Sequence, residues 1–333
     1  MAIDDAHAFT RRSLLTGAAA LAAASPLGLT KALGQGSATP HTLKVGTAEV
    51  TILSDGDFAM PLSFVLPGRA QAEVEALYQR QGAALGELKA EVNVVVIRAG
   101  SELILVDTGA GPDFMPTLGR LADRLEAAGI KPEAITKVVF THAHADHLWG
   151  IIDPLGGGTL FEKARHFMTA AERDFWLKPG VDALVADAFR SMAVGTQRRL
   201  KSIAERIETV GPGQEIAPGI SLVDTAGHTP GHVSVLLRSG GAQLLIGGDA
   251  LVQSVVSFAA PDWRWGSDMD ADRAIKTRRT LLDRLASEQI TLLGYHLPWP
   301  GVGRVERGHG RFLLWRLSGF KPSIAAAATG RKG

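Results

Sequence analysis

Four residues that could bind a metal ion lie within six positions of the chain, directly after the apolar residues 138–140. They are His142, His144, Asp146 and His147. Imidazole nitrogens and carboxylate oxygens suit Zn, Fe, Mn or Co, and the small residues Ala143 and Ala145 let these side chains converge from a tight turn. A solvated His-rich loop is the alternative interpretation. The pattern favours a strand that ends in a loop of metal ligands.

Three further candidate ligands follow predicted strands downstream. His228 lies in the segment 225–232, where Gly and Pro mark a rigid turn. Asp249 follows the apolar residues 244–246 and two glycines, and His296 follows the run 291–295. The total of five His and two Asp is too large for one tetrahedral Zn, which takes four ligands. The count predicts two metals that share one carboxylate.

Groups of paired strands, with helices between the groups, must position these ligands. Strands are predicted over 48–53, 93–98, 102–106 and 137–140, and helices over 116–128 and 271–287. Neighbouring strand pairs with helices between the groups favour a layered α/β sandwich over a strictly alternating parallel sheet. The length of 333 residues and the 46% hydrophobic content suit a sizeable core. We predict one domain over 37–333.

The ligand pattern resembles that of the metallo-β-lactamase-fold superfamily, with its HxHxDH motif at 142–147 and the later ligands in the same order. The resemblance implies an αβ/βα four-layer sandwich. It also implies one metal on His142, His144 and His228 and a second on Asp146, His147 and His296. Asp249 would bridge the two, and Asp146 and Asp249 would be catalytic.

Asp107, in the segment 105–109, resembles the first motif of the same superfamily. There it supports the metal site from behind the ligands, because a carboxylate can accept the outer ring N–H of a ligating imidazole and so orient it. An ordinary turn Asp before Gly is the alternative interpretation.

Sequence between the ligands is similar to methyl parathion hydrolase and its lactonase relatives, at 105–109, 116–121, 174–177 and 296–303. That resemblance implies an aromatic substrate pocket of Trp176, Phe114 and Phe189, with core packing as the alternative for each. Acyl-homoserine lactonases place a Tyr three residues beyond the bridging Asp. Val252 occupies that position here, which favours the methyl parathion hydrolase side.

The chemistry expected of such a site is hydrolysis. Two divalent cations, Zn first with Fe, Mn or Co as alternatives, lower the pKa of a bound water and supply hydroxide as the nucleophile. Lactones, aryl esters and organophosphate triesters are all suitable substrates, the last as a main or side activity. Neither a GxSxG motif nor any Cys is present to act as a nucleophile. The alternatives are a mononuclear-iron oxidoreductase, similar to persulfide dioxygenases, and a catalytically silent binding protein.

Charge excludes one class of partner. The net charge of +1, from 35 basic and 34 acidic residues, leaves no electrostatic footprint for nucleic acid. The basic run 197–201 is predicted to lie on the solvated face of a helix. The expected partner is a small ester or lactone substrate, and a homodimer is kept open as the assembly.

The first 36 residues have the composition of an export signal. Arg11 and Arg12 precede the apolar, Ala-rich segment 14–24, which indicates a twin-arginine signal. A core helix is the alternative. The apolar segment falls short of the roughly 18 residues that span a bilayer, so no stable membrane anchor is expected. We therefore predict a periplasmic or secreted bacterial protein that uses the twin-arginine export machinery, with cleavage between residues 24 and 37.

Overall fold

Two mixed β-sheets form the centre of the computed structural model, which describes residues 37–86, 88–153, 158–308 and 311–316. Within these residues each sheet has seven strands. The first sheet contains β1 (His41–Val45), β2 (Ala48–Ala59), β3 (Lys89–Ala99), β4 (Glu102–Val106), β5 (Lys137–Val139), β6 (Arg165–Met168) and β7 (Ile207–Thr209). The second contains β8 (Glu215–Ala217), β9 (Ile220–Asp224), β10 (Val233–Ser239), β11 (Ala242–Ile246), β12 (Thr291–Leu293), β13 (Val302–Gly308) and β14 (Arg311–Arg316).

Both sheets contain parallel pairing: β5, β11 and β12, which lead into candidate ligands, are parallel strands, whereas β9, before His228, pairs antiparallel. In the first sheet, β1 to β4 pair antiparallel and β4 to β7 pair parallel. In the second, strand order runs from β14 down to β8, and β11 with β12 is the parallel pair among antiparallel ones. Parallel neighbours end at the same edge, so the residues that follow them meet.

Helices cover the outer faces of both sheets. The α-helices in the described residues are α1 (Leu62–Val65), α2 (Gln71–Arg80), α3 (Leu121–Ala127), α4 (Ala145–Leu148), α5 (Ala170–Trp176), α6 (Arg190–Ile203), α7 (Val256–Ala259) and α8 (Ala271–Ser287). Short 3₁₀ helices lie at Pro132–Ala134, Trp149–Ile151, Val181–Ala183, Asp187–Phe189, Ala204–Arg206 and Gly248–Ala250.

Alternation along the strands explains the four layers. Val95 and Ile97 of β3 face the core between the sheets, whereas Val94 and Val96 face the core under α3, α5 and α6. A third core lies between the second sheet and α8, around Leu282 and its neighbours. Strands buried on both faces read as continuous apolar runs, because neither face can be polar. The predicted four-layer α/β sandwich is confirmed.

Predicted elements agree with the structure in kind but not always in length. The helix 271–287 is confirmed to the residue, while the helix predicted from 116 begins at Leu121. Gly119 has φ +80, a left-handed conformation that no α-helix contains. Strand β2 continues past the predicted end at 53 through an irregular register between Ser54 and Asp57, and β5 ends one residue early.

Arg199 contradicts the predicted solvated face of 197–201. The residue is buried on α6, its Nη2 lies 2.5 Å from Asp113 Oδ2, and its guanidinium lies 4.0 Å from the ring centroid of Trp149. Burial of this charge is tolerated because the guanidinium packs over the Trp149 ring and pairs with the Asp113 carboxylate.

The predicted export signal and start of the mature chain, 1–36, lie outside the described residues. The division of the chain at residue 37 therefore stays a prediction. Among the described residues, no helix combines the length and apolar character needed to cross a bilayer.

Candidate metal centre

The segments that follow strand ends at one edge of the sandwich, some of them loops and some short helices, carry all the candidate ligands. Strand β5 leads into His142 and His144 and then into α4, and β9 leads into the turn with His228. Strands β11 and β12 are parallel neighbours, so Asp249 and His296, which follow them, emerge side by side. The sequence pattern of a strand followed by a ligand corresponds to this shared edge.

The structure brings the seven candidate ligands together in two groups. One contains His142, His144, His228 and Asp249, and the other contains Asp146, His147 and His296; within each group the ligand atoms lie within 4.8 Å of one another. All seven side chains are buried. Residues from distant parts of the chain thus face one centre.

Asp249 lies between the groups and offers one carboxylate oxygen to each. Its Oδ2 is 3.2 Å from His228 Nε2 and 4.0 Å from His142 Nε2. Its Oδ1 is 3.1 Å from His147 Nε2 and 3.2 Å from His296 Nε2. This is the placement expected of a bridging carboxylate.

Atoms without hydrogen-bond partners inside the cluster fit cations. His142 Nε2, His147 Nε2 and Asp249 Oδ1 are buried without a hydrogen-bond partner, which is costly unless something else satisfies them. Nitrogen and carboxylate donors that converge in this way match the preferences of Zn and similar divalent metals.

Outer contacts orient the imidazoles. His147 Nδ1 lies 2.8 Å from Asp107 Oδ2, His228 Nδ1 lies 3.1 Å from Asp268 Oδ1, and His296 Nδ1 lies 2.7 Å from the Glu91 carbonyl oxygen. Because these partners accept hydrogen bonds, the ring proton belongs on Nδ1. The lone pair of each Nε2 then faces the centre, as a metal ligand requires.

The electrostatics of the cluster favour bound positive charge. Burial lowers the pKa of His142 and His144 well below the usual value, and neighbouring histidines add to this effect. Burial also acts to lower the pKa of His147 and His228, but Asp249 and other carboxylates outweigh it and raise these values to about 10 and about 9. The negative charge of the carboxylates therefore keeps His147 and His228 protonated unless a metal cation neutralises it.

Asp107 lies directly behind His147; the resemblance implied support behind the metal site without naming which imidazole. The Asp107 carboxylate also accepts hydrogen bonds from the Thr141 amide and hydroxyl, each at 2.7 Å. The residue is fully buried and has φ +60, which is unusual for a residue other than glycine. The hydrogen bonds hold this conformation, and the carboxylate connects the end of β4 to the first ligand loop.

Sequence reasoning missed Asp268 and Arg278. Asp268 Oδ2 lies 2.9 Å from Arg278 Nη2, and the Arg278 side chain is buried with it. Arg278 Nη1 also donates to the carbonyl oxygens of Pro261 and Trp263. The helical pattern of α8 could have identified Arg278, because this charged residue lies on the same buried face as Leu282 and Leu285.

His232 was likewise not assigned a role from sequence. Its Nε2 accepts a hydrogen bond of 2.9 Å from the Asp249 amide, and its Nδ1 lies 2.8 Å from Thr225 Oγ1. Burial and the neighbouring His228 lower the pKa of His232 to about 3, so the ring is neutral and can accept. It fixes the backbone that carries Asp249.

A pocket of about 130 Å³ opens beside His144. Its wall includes the predicted pocket residues Trp176 and Phe189 together with Leu184, Met192 and Met269. The Phe189 ring stacks on His144 at 6.1 Å between centroids. Trp176 has no exposed surface, so its indole supports the wall from behind.

Phe114, the third predicted pocket residue, lies elsewhere around the centre. Its ring contacts Phe58 and Trp149 edge-on, and Phe58 in turn contacts His296. Phe114 therefore approaches the Asp146 group, whereas Trp176 and Phe189 approach the His144 group.

A family model described as the metallo-beta-lactamase superfamily matches residues 90–296, which include all seven candidate ligands. Over 173 residues the chain is 26% identical to the N-acyl homoserine lactonase AiiB of Agrobacterium fabrum, covering 44% of this chain and 58% of that protein. It is 27% identical over 225 residues to the probable metallo-hydrolase YqjP of Bacillus subtilis, covering 63% and 66%. The chain thus spans less than two thirds of the length of these curated relatives.

Two solved structures match over almost their whole length. The hydrolase AbOPH, of the beta lactamase superfamily, is 28% identical, with a TM-score of 0.78 and coverage of 86% of this chain and 99% of that one. AidC, a dizinc quorum-quenching lactonase in complex with the product N-hexnoyl-L-homoserine, is 26% identical, with a TM-score of 0.79 and coverage of 87% and 99%.

Proposed function

The chain belongs to the metallo-beta-lactamase superfamily, and we therefore propose that it is a dinuclear metal-dependent hydrolase of the lactonase type. The observation that carries the proposal is Asp249, whose two oxygens face two separate groups of ligands. A mononuclear-iron oxidoreductase would need only one group of metal ligands, whereas this chain has two. AidC is described as a dizinc lactonase, which supports two Zn ions here.

When bound, two such cations polarise an ester or phosphoryl oxygen and activate water for attack. The chain's own residues prepare the site for them. Asp107, Asp268 and the Glu91 carbonyl hold the imidazoles of His147, His228 and His296 with Nε2 inward. Burial alone would raise the pKa of Asp249, but the surrounding histidines lower it well below its usual value. That carboxylate is therefore ionised and ready to bind cations on both sides.

The pocket beside His144 provides the place for the organic part of the substrate. Leu184, Phe189, Met192 and Met269 give it an apolar wall, and burial of an apolar group there excludes water from the reacting bond. The names of AiiB and AidC support a lactone as the leading substrate. Among the candidate reactions, we therefore propose lactone opening as the leading activity and aryl ester cleavage as the second.

Hydrolysis of organophosphate triesters is the finer proposal and rests on the similarity to methyl parathion hydrolase between the ligands. The Tyr of acyl-homoserine lactonases has no counterpart at Val252, which is buried in the apolar cluster around Val74 and Trp265. Without that hydroxyl, stabilisation of the oxyanion would fall to cations held by the seven ligands, and such cations would stabilise a phosphoryl oxygen in the same way. Phosphotriesterase activity is thus proposed as a main or side activity.

Metal content and a substrate panel test the proposal together. We expect about two Zn ions per chain in the purified protein and turnover of a lactone, an aryl ester or a methyl parathion-like triester. Asp249→Ala should reduce occupancy of both groups, while His142→Ala should affect one. His41→Ala, on β1 and outside both groups, is the matched control. A wild-type content of one or zero would refute the dinuclear centre.

A further inference from the structure

A third buried carboxylate, besides Asp107 and Asp268, lies behind the metal centre and is not a ligand. Glu172, on α5, has no exposed surface. Its Oε1 accepts hydrogen bonds from the Ala143 amide at 2.9 Å and from Trp176 Nε1 at 2.6 Å. Its Oε2 accepts from the Thr229 hydroxyl at 2.7 Å and from the Gly231 amide at 2.9 Å. All four described partners are neutral donors.

These four donors belong to three separate parts of the site. Ala143 lies between the ligands His142 and His144, whereas Thr229 and Gly231 follow the ligand His228 in its turn. Trp176 forms the back of the substrate pocket. A single carboxylate therefore joins the two loops that supply the three histidines of one ligand group, and it joins both to the pocket wall.

Packing around Glu172 leaves little freedom for either loop. A Cβ atom on Gly231 would lie 2.2 Å from the Glu172 amide nitrogen, so the turn can approach α5 this closely only with glycine. Thr169 Oγ1 accepts from the Glu172 amide and donates to the Gly231 carbonyl oxygen. On the other side, Thr196 Oγ1 donates to the Ala143 carbonyl oxygen at 3.1 Å.

The other ligand group has a different support. Asp107 holds His147, the Glu91 carbonyl holds His296, and Tyr295 donates to the carbonyl oxygen of Asp146 at 2.7 Å. The four hydrogen bonds of Glu172 do not involve any of these three ligands. Asp107 also accepts hydrogen bonds from Thr141 beside His142, so it contacts both groups, whereas the contacts of Glu172 reach only the loops of the first group.

We propose that Glu172 is a positioning residue specific to the His142, His144 and His228 group, which sets the distance between its two ligand loops. The inference rests on the two-cation centre of the proposed function. A buried carboxylate can accept four hydrogen bonds, but a carboxamide cannot, because its NH₂ group would face donors. Glu172→Gln therefore forces one loop away while leaving the size of the side chain unchanged.

Zinc titration of metal-depleted protein tests this proposal without an activity measurement. We expect Glu172→Gln to reduce the Zn content from about two to about one per chain, through a roughly 10- to 100-fold weaker affinity of one group. Glu162→Gln, at an exposed position in the loop before β6, should retain two. Loss of both ions, or of neither, in Glu172→Gln would overturn the proposal.

Double variants identify which group is weakened. His296→Ala alone should retain the ion of the first group, and adding Glu172→Gln should reduce Zn to near zero. His142→Ala alone should retain the ion of the second group, and adding Glu172→Gln should change nothing. Equal effects in the two backgrounds would mean that Glu172 supports the fold in general and would refute its specific role.

A milder pair covers the case in which Glu172→Gln does not fold. Thr229→Ala removes one donor from Oε2, and Thr229→Ser retains it. The Ala variant should bind Zn more weakly than the Ser variant at the first group, and equal affinities would refute the proposal. If the wild type itself binds fewer than two ions, the proposed dinuclear function is wrong. If the wild type binds two ions but the variants do not lose Zn as expected, only the proposed role of Glu172 is wrong.

Discussion

Aromatic residues near His144 differ in what they can contact. Phe189 is half-buried and stacks on His144, and its ring also lies 5.3 Å from that of Phe64. Trp176 is fully buried and donates its indole N–H to Glu172. The pocket role predicted for both residues stays a prediction; in the structure Phe189 is the more accessible of the two, and Trp176 lies behind the wall.

Phe189→Ala should weaken turnover of bulky aryl substrates without changing metal content. Loss of an aromatic contact worth about 1.4 kcal/mol in the transition state corresponds to roughly tenfold in kcat/KM, and small lactones should lose less. Steady-state kinetics on both substrate types provide the measurement. Phe175→Ala, a half-buried aromatic that does not line the pocket, is the control. An equal loss for small and bulky substrates would argue against the pocket role.

Arg278→Met should destabilise the protein because it leaves the buried Asp268 carboxylate with an unpaired oxygen. Removal of one member of a buried ion pair costs about 3 kcal/mol or more in the free energy of unfolding. Denaturant titration measures this change. The neighbouring Arg279 pairs with Asp262 on the surface, where both side chains are more than half exposed, so Arg279→Met should change stability little. Similar losses in the two variants would contradict the assigned role of Arg278.

At the scale of elements, one buried side chain holds the loop that precedes α3. Asp55 is fully buried in the irregular part of β2, and its carboxylate accepts hydrogen bonds from the amides of Ala110, Gly119 and Leu121. Burial raises the pKa of Asp55 to about 6, although these donors oppose the shift. The contacts hold residues 110–120 as a loop against β2, so the helix begins only at Leu121.

Asp55→Ala should release that loop. Two buried N–H groups and one partly buried one would lose their acceptor, which we expect to cost about 2 to 3 kcal/mol in the free energy of unfolding. Amide hydrogen exchange of residues 110–121 should accelerate as well. Asp123→Ala, at an exposed position on α3, serves as the control. Unchanged exchange in Asp55→Ala would show that packing alone holds the loop.

At the scale of the whole molecule, the metal centre links stability to pH. In the metal-free protein the raised pKa values of His147 and His228, about 10 and about 9, exceed the unfolded value of about 6.5. Their stabilising contribution is complete below about pH 6.5 and is lost as the pH rises through the folded values. The lowered pKa of His142 and His144 acts oppositely, since unfolded imidazoles take up protons as the pH falls below about 6.5 and the folded ones do not.

Metal-free protein should therefore be most stable near about pH 6.5 and lose stability in both directions. Thermal unfolding of chelator-treated protein across a pH series measures the effect. With Zn bound, the cations replace the protons, so the alkaline loss should shrink. A profile that does not change on metal removal would contradict the electrostatic account.

We propose export by the twin-arginine route on the basis of Arg11 and Arg12, which lie outside the described residues. Replacement of both by Lys should leave full-length protein in the cytoplasm, because the paired arginines are the recognised feature. Cell fractionation and intact mass measurement test this. Lys31→Arg, which changes a basic residue of the same segment outside the pair, is the control and should be exported. Normal export of the double variant would refute the route.

Assembly of the whole molecule as a homodimer also stays a prediction. Light scattering of the purified, uncleaved protein distinguishes a mass near 35.2 kDa for the monomer from twice that value for the dimer.

The sequence by itself determined which residues could bind metal and how the layers form. Ligand type and the position of each ligand after a strand are local features, and apolar runs report burial on both faces of a strand. The family resemblance already implied how the seven ligands divide around Asp249, whereas only the tertiary structure decided that Glu172 joins two ligand loops and that Asp268 and Arg278 support His228. It also separated Phe114 from Phe189. These contacts join residues far apart in the chain, and their distances depend on how the sheets and helices pack, which local periodicity does not encode.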